Sequence, residues 1–508
     1  MRSHQPLYFG INISPARRSS KNRGCIHPAS GDLISELTSS GNITVLTPAS
    51  QNYANASTAF NLRFTLNPAA VTFPTTPQQI STILSLTTKY NHQAVARSGG
   101  HSYIANGLGG KDGVVVVDMS NFRAVTVDPE TNVASIGVGN RLGDVALALN
   151  TYGRALPHGT CPYVGLGGHS GHGGYGFTSR KWGLTLDTIV AIDVVLANGA
   201  ILNGVSNSKF PDLFWALRGS SSSFGIVTTI HTNTFAAPPS TTVFSYRWDL
   251  NISEAVSATM AYQSYVVSPD FPQEMGSEIV LRAGSTQGRV SFRLTGGWYA
   301  PPEQYDAVIQ PYLTQLPSPQ TATVHNETYI GSVEFFGGLG RLNTTGIPDA
   351  HDTFYAKSLM IPESVPFSNE SLTAFYTYLA NDAFTANTNW FAEIELYGGT
   401  NSAINNVPFD ATAFGHRDTM FTMQFYTSAI GGVPPFPVEG FGLLDDMVAT
   451  IVDNNPRGRE YGAYANYIDN RLEDWQLKYY ASHYPKLRNI KRKYDPHDTF
   501  DFPLSIQE

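Results

Sequence analysis

Apolar side chains along the first half of this sequence recur with two periods in quick succession. Between residues 76 and 91, Ile80, Ile83, Leu84 and Leu86 fall on one face of a helix. Thr76 stands at its capping position, Pro77 suits the first turn, and Gln79 occupies the capping-box position. Short β-branched runs follow in QAVARSGGHSY, GVVVVDMS and VASIGVG, separated by Gly and Asp. They predict strands with tight connections. RLGDVALALNTYG predicts a helix, and Asn198-Gly199 between the apolar runs of TIVAIDVVLANGAIL predicts a hairpin. PDLFWALRG predicts a short helix, with Pro211 near its start and Gly219 past its end.

From about Thr241 the pattern changes. TTVFSYRWDL, SEIVLRAG, VSFRLTGGWY, NWFAEIELYGG and DTMFTMQFYTS predict strands of an antiparallel sheet, with a helical stretch at 366–380 among them. Alternation places Glu393, Glu395 and Tyr397 on one face and Ala392, Ile394 and Leu396 on the other. Thr422, Gln424 and Tyr426 share a face in the same way. A sheet with one solvated face has this pattern too. The last stretch, DWQLKYYASHYPKLRNIKRKYDP, predicts one helix. The whole reads as an α+β protein divided at 24–235, 236–460 and 461–508.

Composition narrows the classes. The chain has 508 residues, 42% hydrophobic and 14% charged, enough to bury a sizeable core. A net charge of −8 without a Lys/Arg block in the body of the chain argues against nucleic acid or an anionic membrane as partner. No run of about 18 apolar residues exists, so no transmembrane helix is expected. Arg2, Arg17, Arg18, Lys21 and Arg23 surround a short apolar run, Leu7 to Ile13, a poor match to a signal peptide. Sequons at Asn12, Asn42, Asn55, Asn251, Asn326, Asn343 and Asn369 nonetheless fit a secreted glycoprotein; a chain rich in Asn, Ser and Thr also produces them by chance. A monomer is expected.

Candidate chemistry gathers where glycines cluster: Arg97-Ser98-Gly99-Gly100-His101-Ser102, and TCPYVGLGGHSGHGGYG from Thr160 to Gly176. Glycine lets backbone N–H groups turn inward against phosphate oxygens, although tight turns between strands give the same clustering. Neither segment fits the dinucleotide fingerprint or the phosphate loop. Each contains one residue of distinct chemistry, His101 and Cys161. On spacing alone His101 reads as a loop histidine, and Cys161 pairs equally well with Cys25, the only other cysteine. The 13 histidines show no zinc pattern; His169 and His172 lack the H-E-x-x-H context, and no metal is expected.

RSGGHSY, GTCPYVGLGGHSGHGGYGFTSRKWGLTLD, DLFWALRGSSSSFGIV, YANYIDN and LRNIKRKYDPHDTF, in this order, resemble the berberine-bridge-enzyme-like flavoprotein oxidases of the vanillyl-alcohol-oxidase superfamily. Within it the chain is most similar to fungal glucooligosaccharide and chitooligosaccharide oxidases, from about residue 25 to the end. The resemblance implies a PCMH-type FAD-binding domain, a substrate domain with an antiparallel sheet flanked by helices, and a C-terminal segment completing the first. It implies FAD bonded through its 8α-methyl carbon to His101 and through C6 to Cys161. Arg97, Ser98, Gly99, Gly100 and Ser102 would wrap the pyrophosphate side, Gly165, Gly167 and Gly168 the second face, and Gly225, Ile226 and Val227 the adenine end. Asn466 is carried over as a further cofactor contact. Val164 matches a gatekeeping position and supports reaction with O2.

For the reaction, Tyr467 matches the catalytic tyrosine and Glu395 its neighbouring carboxylate, with Tyr103, Tyr175, Glu393, Gln424 and Tyr464 around the substrate. A phenol must be activated to take a proton near neutrality, and a bare negative charge would raise its pKa. The resemblance implies transfer of hydride from a reducing-end sugar carbon, C1, giving a lactone, with O2 reduced to H2O2. Three positions depart from it: Glu393 stands where the sugar oxidases carry Gln, Glu395 where they carry Asp, and Arg282 near a position that reads sugar hydroxyls. Arg282 in the groove would pair with Glu393 or grip a substrate carboxylate; Glu278 lies on the same strand face. Oxidation or oxidative coupling of an apolar or aromatic secondary metabolite is the alternative. With Cys161 on the flavin, Cys25 is expected to be a free thiol.

Overall fold

The computed structural model describes residues 30–508 except 41 and 457–460; Cys25, Asn12 and the basic N-terminal stretch lie outside the described residues. The helix Pro77–Lys89 forms with Ile80, Ile83 and Leu84 fully buried. Its cap is built from side chains. Thr76 accepts from Gln79 N at 3.2 Å, while Gln79 Oε1 reaches back one residue further than a capping box requires, to Thr75 N at 2.6 Å. The hairpin Ile189–Val195/Ile201–Val205 turns at Gly199, which has φ +80° and whose carbonyl accepts from Ser81 Oγ of that helix at 2.7 Å.

Two larger sheets, beside a two-stranded pairing of Arg154–Ala155 with Phe235–Ala236, lie in the first half of the chain. Four strands lie in the order Thr44–Leu46, Ala70–Phe73, Val115–Asp118, Ala94–Arg97, with both pairings to Val115–Asp118 parallel. Five antiparallel strands lie in the order Val125–Val127, Val133–Gly137, Ile226–Asn233, Ile189–Val195, Ile201–Val205. The C-terminal segment returns to this core through Tyr479, Leu487, Ile490, Phe500 and Ile506. The single helix expected there is two, Trp475–Tyr480 and Tyr484–Tyr494. Ala481 between them adopts φ +47°, and Pro485 cannot donate to a continuous helical ladder.

The second half is a seven-stranded antiparallel sheet, in the order Thr321–Glu327, Thr241–Asn251, Arg289–Trp298, Met275–Ala283, Asn389–Leu396, Thr419–Ser428, Phe354–Pro362. Its Ile279, Ala392, Ile394, Met423 and Phe425 face a core shared with the helices Ile252–Val266, Asn369–Asn381 and Glu439–Val452. The opposite face turns toward the first half. Two buried arginines lock the halves together. Arg180 donates to the carbonyls of Gly398, Pro272, Met275 and Thr400 at 2.6–2.9 Å, and Arg417 forks onto both carboxylate oxygens of Asp187 at 2.7 and 2.9 Å. Among the described residues, no helix is long and apolar enough to cross a membrane.

Candidate active site

Between the halves lies a cavity of about 420 Å³. Its floor is backbone. The two glycine-rich loops touch so closely that a Cβ on Gly99 would stand 2.5 Å from Gly165 N, and one on Gly165 2.1 Å from Gly99 N. Ser98 staples them together, donating to Val138 O at 2.5 Å and accepting from Gly167 N at 3.1 Å. Gly168 faces open space. The floor runs from Arg97–Tyr103 past Val164, Gly165, Gly167 and Gly168 to Ser221–Ser223, Gly225 and Val227. Lys491 sets its far end: fully buried, it pairs with Asp495 at 2.7 Å and donates to Ser223 O at 3.1 Å.

His101 and Cys161 meet at one end, Nε2 to Sγ 3.9 Å apart. Phe60 stacks on the imidazole, centroids 3.6 Å apart, and Asp349 Oδ2 lies 3.3 Å from Nε2. Burial opposes charge on both groups. It is outweighed at His101 by the hydrogen bonds to Asp349 and Cys161, which push the imidazole up to about 9, and at Cys161 by His101, which lowers the thiol. A thiol whose pKa is lowered by an adjacent imidazole is poised for nucleophilic attack.

The roof is the polar face of the seven-stranded sheet. Register places Glu278 opposite Glu395, Glu395 opposite Thr422, and Glu393 opposite Gln424. The carboxylate oxygens of Glu278, Glu393 and Glu395 lie within 4.8 Å of one another. Tyr467 arrives from the C-terminal segment and donates to Glu395 Oε1 at 2.7 Å; Glu395 Oε2 has no hydrogen-bond partner among the described residues. Burial raises all three carboxyls, Glu393 to about 7, with the neighbouring glutamates adding to the rise at Glu278 and Glu395. Burial, then Glu395, lifts the Tyr467 phenol well above its ordinary value. Tyr103 accepts from Gln424 Nε2 at 2.8 Å, and its ring runs parallel to Tyr467 at 6.1 Å.

Several residues singled out in the sequence have more local tasks. Arg97 borders the cavity, but its guanidinium is held by Asp118 at 2.6 Å and by Ala56 O. Tyr175 stacks on Tyr397 and donates to Leu396 O at 3.1 Å. The Tyr464 hydroxyl accepts from Gly174 N at 2.9 Å and from Asn466 Nδ2 at 2.9 Å, bracing the second glycine loop beneath the substrate space. Asn466 also clasps His169 O at 3.1 Å. Ile226 is fully buried in the first core, opposite Val195, and is not part of the cavity wall. Arg282 is exposed at the strand's outer end with its guanidinium 5.1 Å over the Phe391 ring, and it does not border the cavity; Glu278 does. His169 accepts from Gly159 N at 3.0 Å and His172 Nδ1 meets Gly168 O at 3.0 Å, so both serve the loop. Phe60 and Asp349 went unnoticed in the sequence, because 41 and 248 positions separate them from His101.

The floor suits a flavin dinucleotide: a long backbone cradle whose two loops could not close on one another with a Cβ at Gly99 or Gly165, with an imidazole and a thiol at the end beneath the acid roof. Family comparison agrees. Residues 68–204 match the FAD binding domain model, and residues 463–507 match the berberine and berberine-like model. The xylooligosaccharide oxidase of Thermothelomyces thermophilus is 35% identical over 93% of this chain and 94% of its own. A solved chitooligosaccharide oxidase superposes with TM-score 0.87 at 32% identity, covering 94% of this chain and 99% of the other. The glucooligosaccharide oxidase of Acremonium strictum, whose FAD is 6-S-cysteinyl and 8α-N1-histidyl, superposes with TM-score 0.86 at 33% identity, covering 94% and 99%. Fold, cradle and similarity over nearly the whole length agree: the chain belongs to the berberine-bridge-enzyme-like FAD-linked oxidoreductases.

Proposed function

We propose that this enzyme is a carbohydrate oxidase with FAD tethered at both His101 and Cys161, oxidising the C1 hydroxyl of a reducing-end sugar to a lactone. The observation that carries the reading is the Tyr467–Glu395 hydrogen bond of 2.7 Å in a polar roof directly over the cradle. Bound FAD supplies a hydride acceptor that O2 re-oxidises, with release of H2O2. Around it the chain supplies position and proton transfer.

The phenol need not ionise. Tyr467 gives its proton to Glu395 while taking one from the substrate hydroxyl, so the proton ends on a carboxylate that burial has made an unusually strong base. Gln424 and Glu393, side by side on the roof, offer a donor and an acceptor to ring hydroxyls. Names of relatives support the substrate class, since xylo-, gluco- and chitooligosaccharide oxidases all match along most of the chain. With Arg282 outside the cavity wall, a neutral sugar is favoured over a carboxylated one. The exposed sequons at Asn42, Asn55, Asn326, Asn343 and Asn369 fit a glycosylated, secreted protein. An H2O2 assay over neutral mono- and oligosaccharides, acidic sugars and aromatic alcohols tests the reading. Turnover of neutral oligosaccharides is expected. Silence on every sugar, with turnover of an aromatic alcohol, would make it a secondary-metabolite oxidase.

A further inference from the structure

We propose that Asp349 is the residue that orients His101 for flavin attachment and receives its Nε2 proton, so that docking of the two halves of the molecule licenses the bond. The proposal rests on the reading of His101 as a tether. Asp349 belongs to the long connection between the helix Tyr329–Gly337 and the strand Phe354–Pro362 of the second half, whereas His101 belongs to the first. That connection is pinned beside Phe60. His351 Nδ1 meets Ala59 O at 2.7 Å, Asp352 N donates to Phe60 O at 3.2 Å, and Leu62 N donates to Asp352 O at 2.8 Å. Tyr426 of the roof sheet adds a bond to Asp352 Oδ2 at 2.8 Å. Phe60 itself stacks on the imidazole, so one short segment fixes both the ring plane and the carboxylate.

The chemistry follows from which nitrogen is engaged. Asp349 and Cys161 both meet Nε2, so when the imidazolium gives up one proton to become the attacking neutral ring, the proton it keeps sits on Nε2 and the lone pair is left on Nδ1. Nδ1 is the nitrogen that an 8α-N1-histidyl linkage uses. Attachment joins Nδ1 to the 8α-methyl carbon, with loss of one proton from that methyl and one from the imidazole. Two electrons pass to the flavin ring, and O2 removes them with two protons as H2O2. Once alkylated, the imidazole carries positive charge until its Nε2 proton leaves. A carboxylate 3.3 Å away stabilises that charge and, with its side chain 20% exposed, passes the proton to water.

The test isolates the histidyl bond in a Cys161→Ser background. Flavin bound before acid precipitation is compared with flavin retained by the polypeptide afterwards. Cys161→Ser alone is expected to retain its flavin. Adding Asp349→Asn, which keeps shape but loses the basic oxygen, is expected to slow covalent incorporation at least tenfold while flavin still binds. Adding Asp349→Glu instead is expected to restore incorporation. The reverse pattern, Asn tolerated and Glu not, would show a purely steric role and overturn the proposal. Complete release from Cys161→Ser alone would overturn the histidyl tether, and the proposal with it.

Discussion

The two ends of the cavity bury ionisable groups side by side and settle their charge in opposite ways. At the proposed tether end, His101 and Cys161 face one another with Asp349 alongside, and partners of opposite charge outweigh the cost of burial. At the roof, Glu278, Glu393 and Glu395 face one another with no cation bonded among them; burial raises all three, neighbouring glutamates add to the rise at Glu278 and Glu395, and at Glu393 the more distant Arg282 and Arg293 offset only part of it. Burial alone therefore predicts the roof but not the other end, where the sign of the nearest neighbours decides. Each result suits its end. A thiol lowered by an imidazolium is ready to form a bond, and a carboxyl raised by its neighbours is ready to hold a proton during turnover.

Breaking the roof has the largest expected effect. Tyr467→Phe removes the hydroxyl that links substrate to Glu395, and flavin reduction is expected to slow by on the order of 10³-fold with the cofactor still attached. Glu395→Gln removes the proton's destination and should cost about as much. The double variant should be little worse than either, because the two act as one relay. Stopped-flow reduction under anaerobic conditions reads all three. If Glu395→Gln keeps a tenth of the normal rate, the proton does not end on that carboxylate.

The next effect is on stability and carries a sign. Glu393 is raised from 4.5 to about 7, so the folded protein holds a proton that the unfolded chain releases. Its contribution to stability is full below pH 4.5 and is lost as pH rises through about 7. Glu393→Gln, neutral at every pH, should therefore be on the order of 3 kcal/mol more stable than the parent above pH 8, and no more stable at pH 4. Urea unfolding at both pH values measures it. An equal gain at both would mean that packing, not charge, sets the cost of this position.

Much of this was legible in advance, and the failures have physical causes. The helix at Pro77–Lys89, the Asn198-Gly199 hairpin and the shared face of Glu393 and Glu395 follow from local periodicity and turn chemistry, whereas the inward turn of that face followed only from the family resemblance. Two strands of the large sheet escaped notice for opposite reasons. Thr321–Glu327 is an edge strand, polar and exposed along nearly all its length, whereas Phe354–Pro362 is buried on both faces, so neither shows alternation. Arg282 shared the face of Glu278 as expected, but four residues along a strand are enough to carry it from cavity to rim. Asp349 and Phe60 could not be found from spacing, because their roles come from docking of the two halves.

Tyr103 gives the finest test, because it joins the two ends. It follows His101 by two residues on the floor loop, yet its hydroxyl accepts from Gln424 of the roof at 2.8 Å. Tyr103→Phe keeps the ring and its edge contact with Phe354 at 5.0 Å, and leaves the Gln424 amide without that acceptor. A lost hydrogen bond of this kind is worth about 1 kcal/mol, roughly a fivefold change in an equilibrium. If the roof's donors position sugar hydroxyls, KM should rise by about that factor with kcat nearly unchanged, because the amide is then free to rotate away from the substrate. Covalent flavin should be unaffected, since nothing about Asp349 or Phe60 changes. A fall in flavin retention would mean that the tether end and the roof are a single electrostatic unit; an unchanged KM would take Gln424 out of substrate recognition.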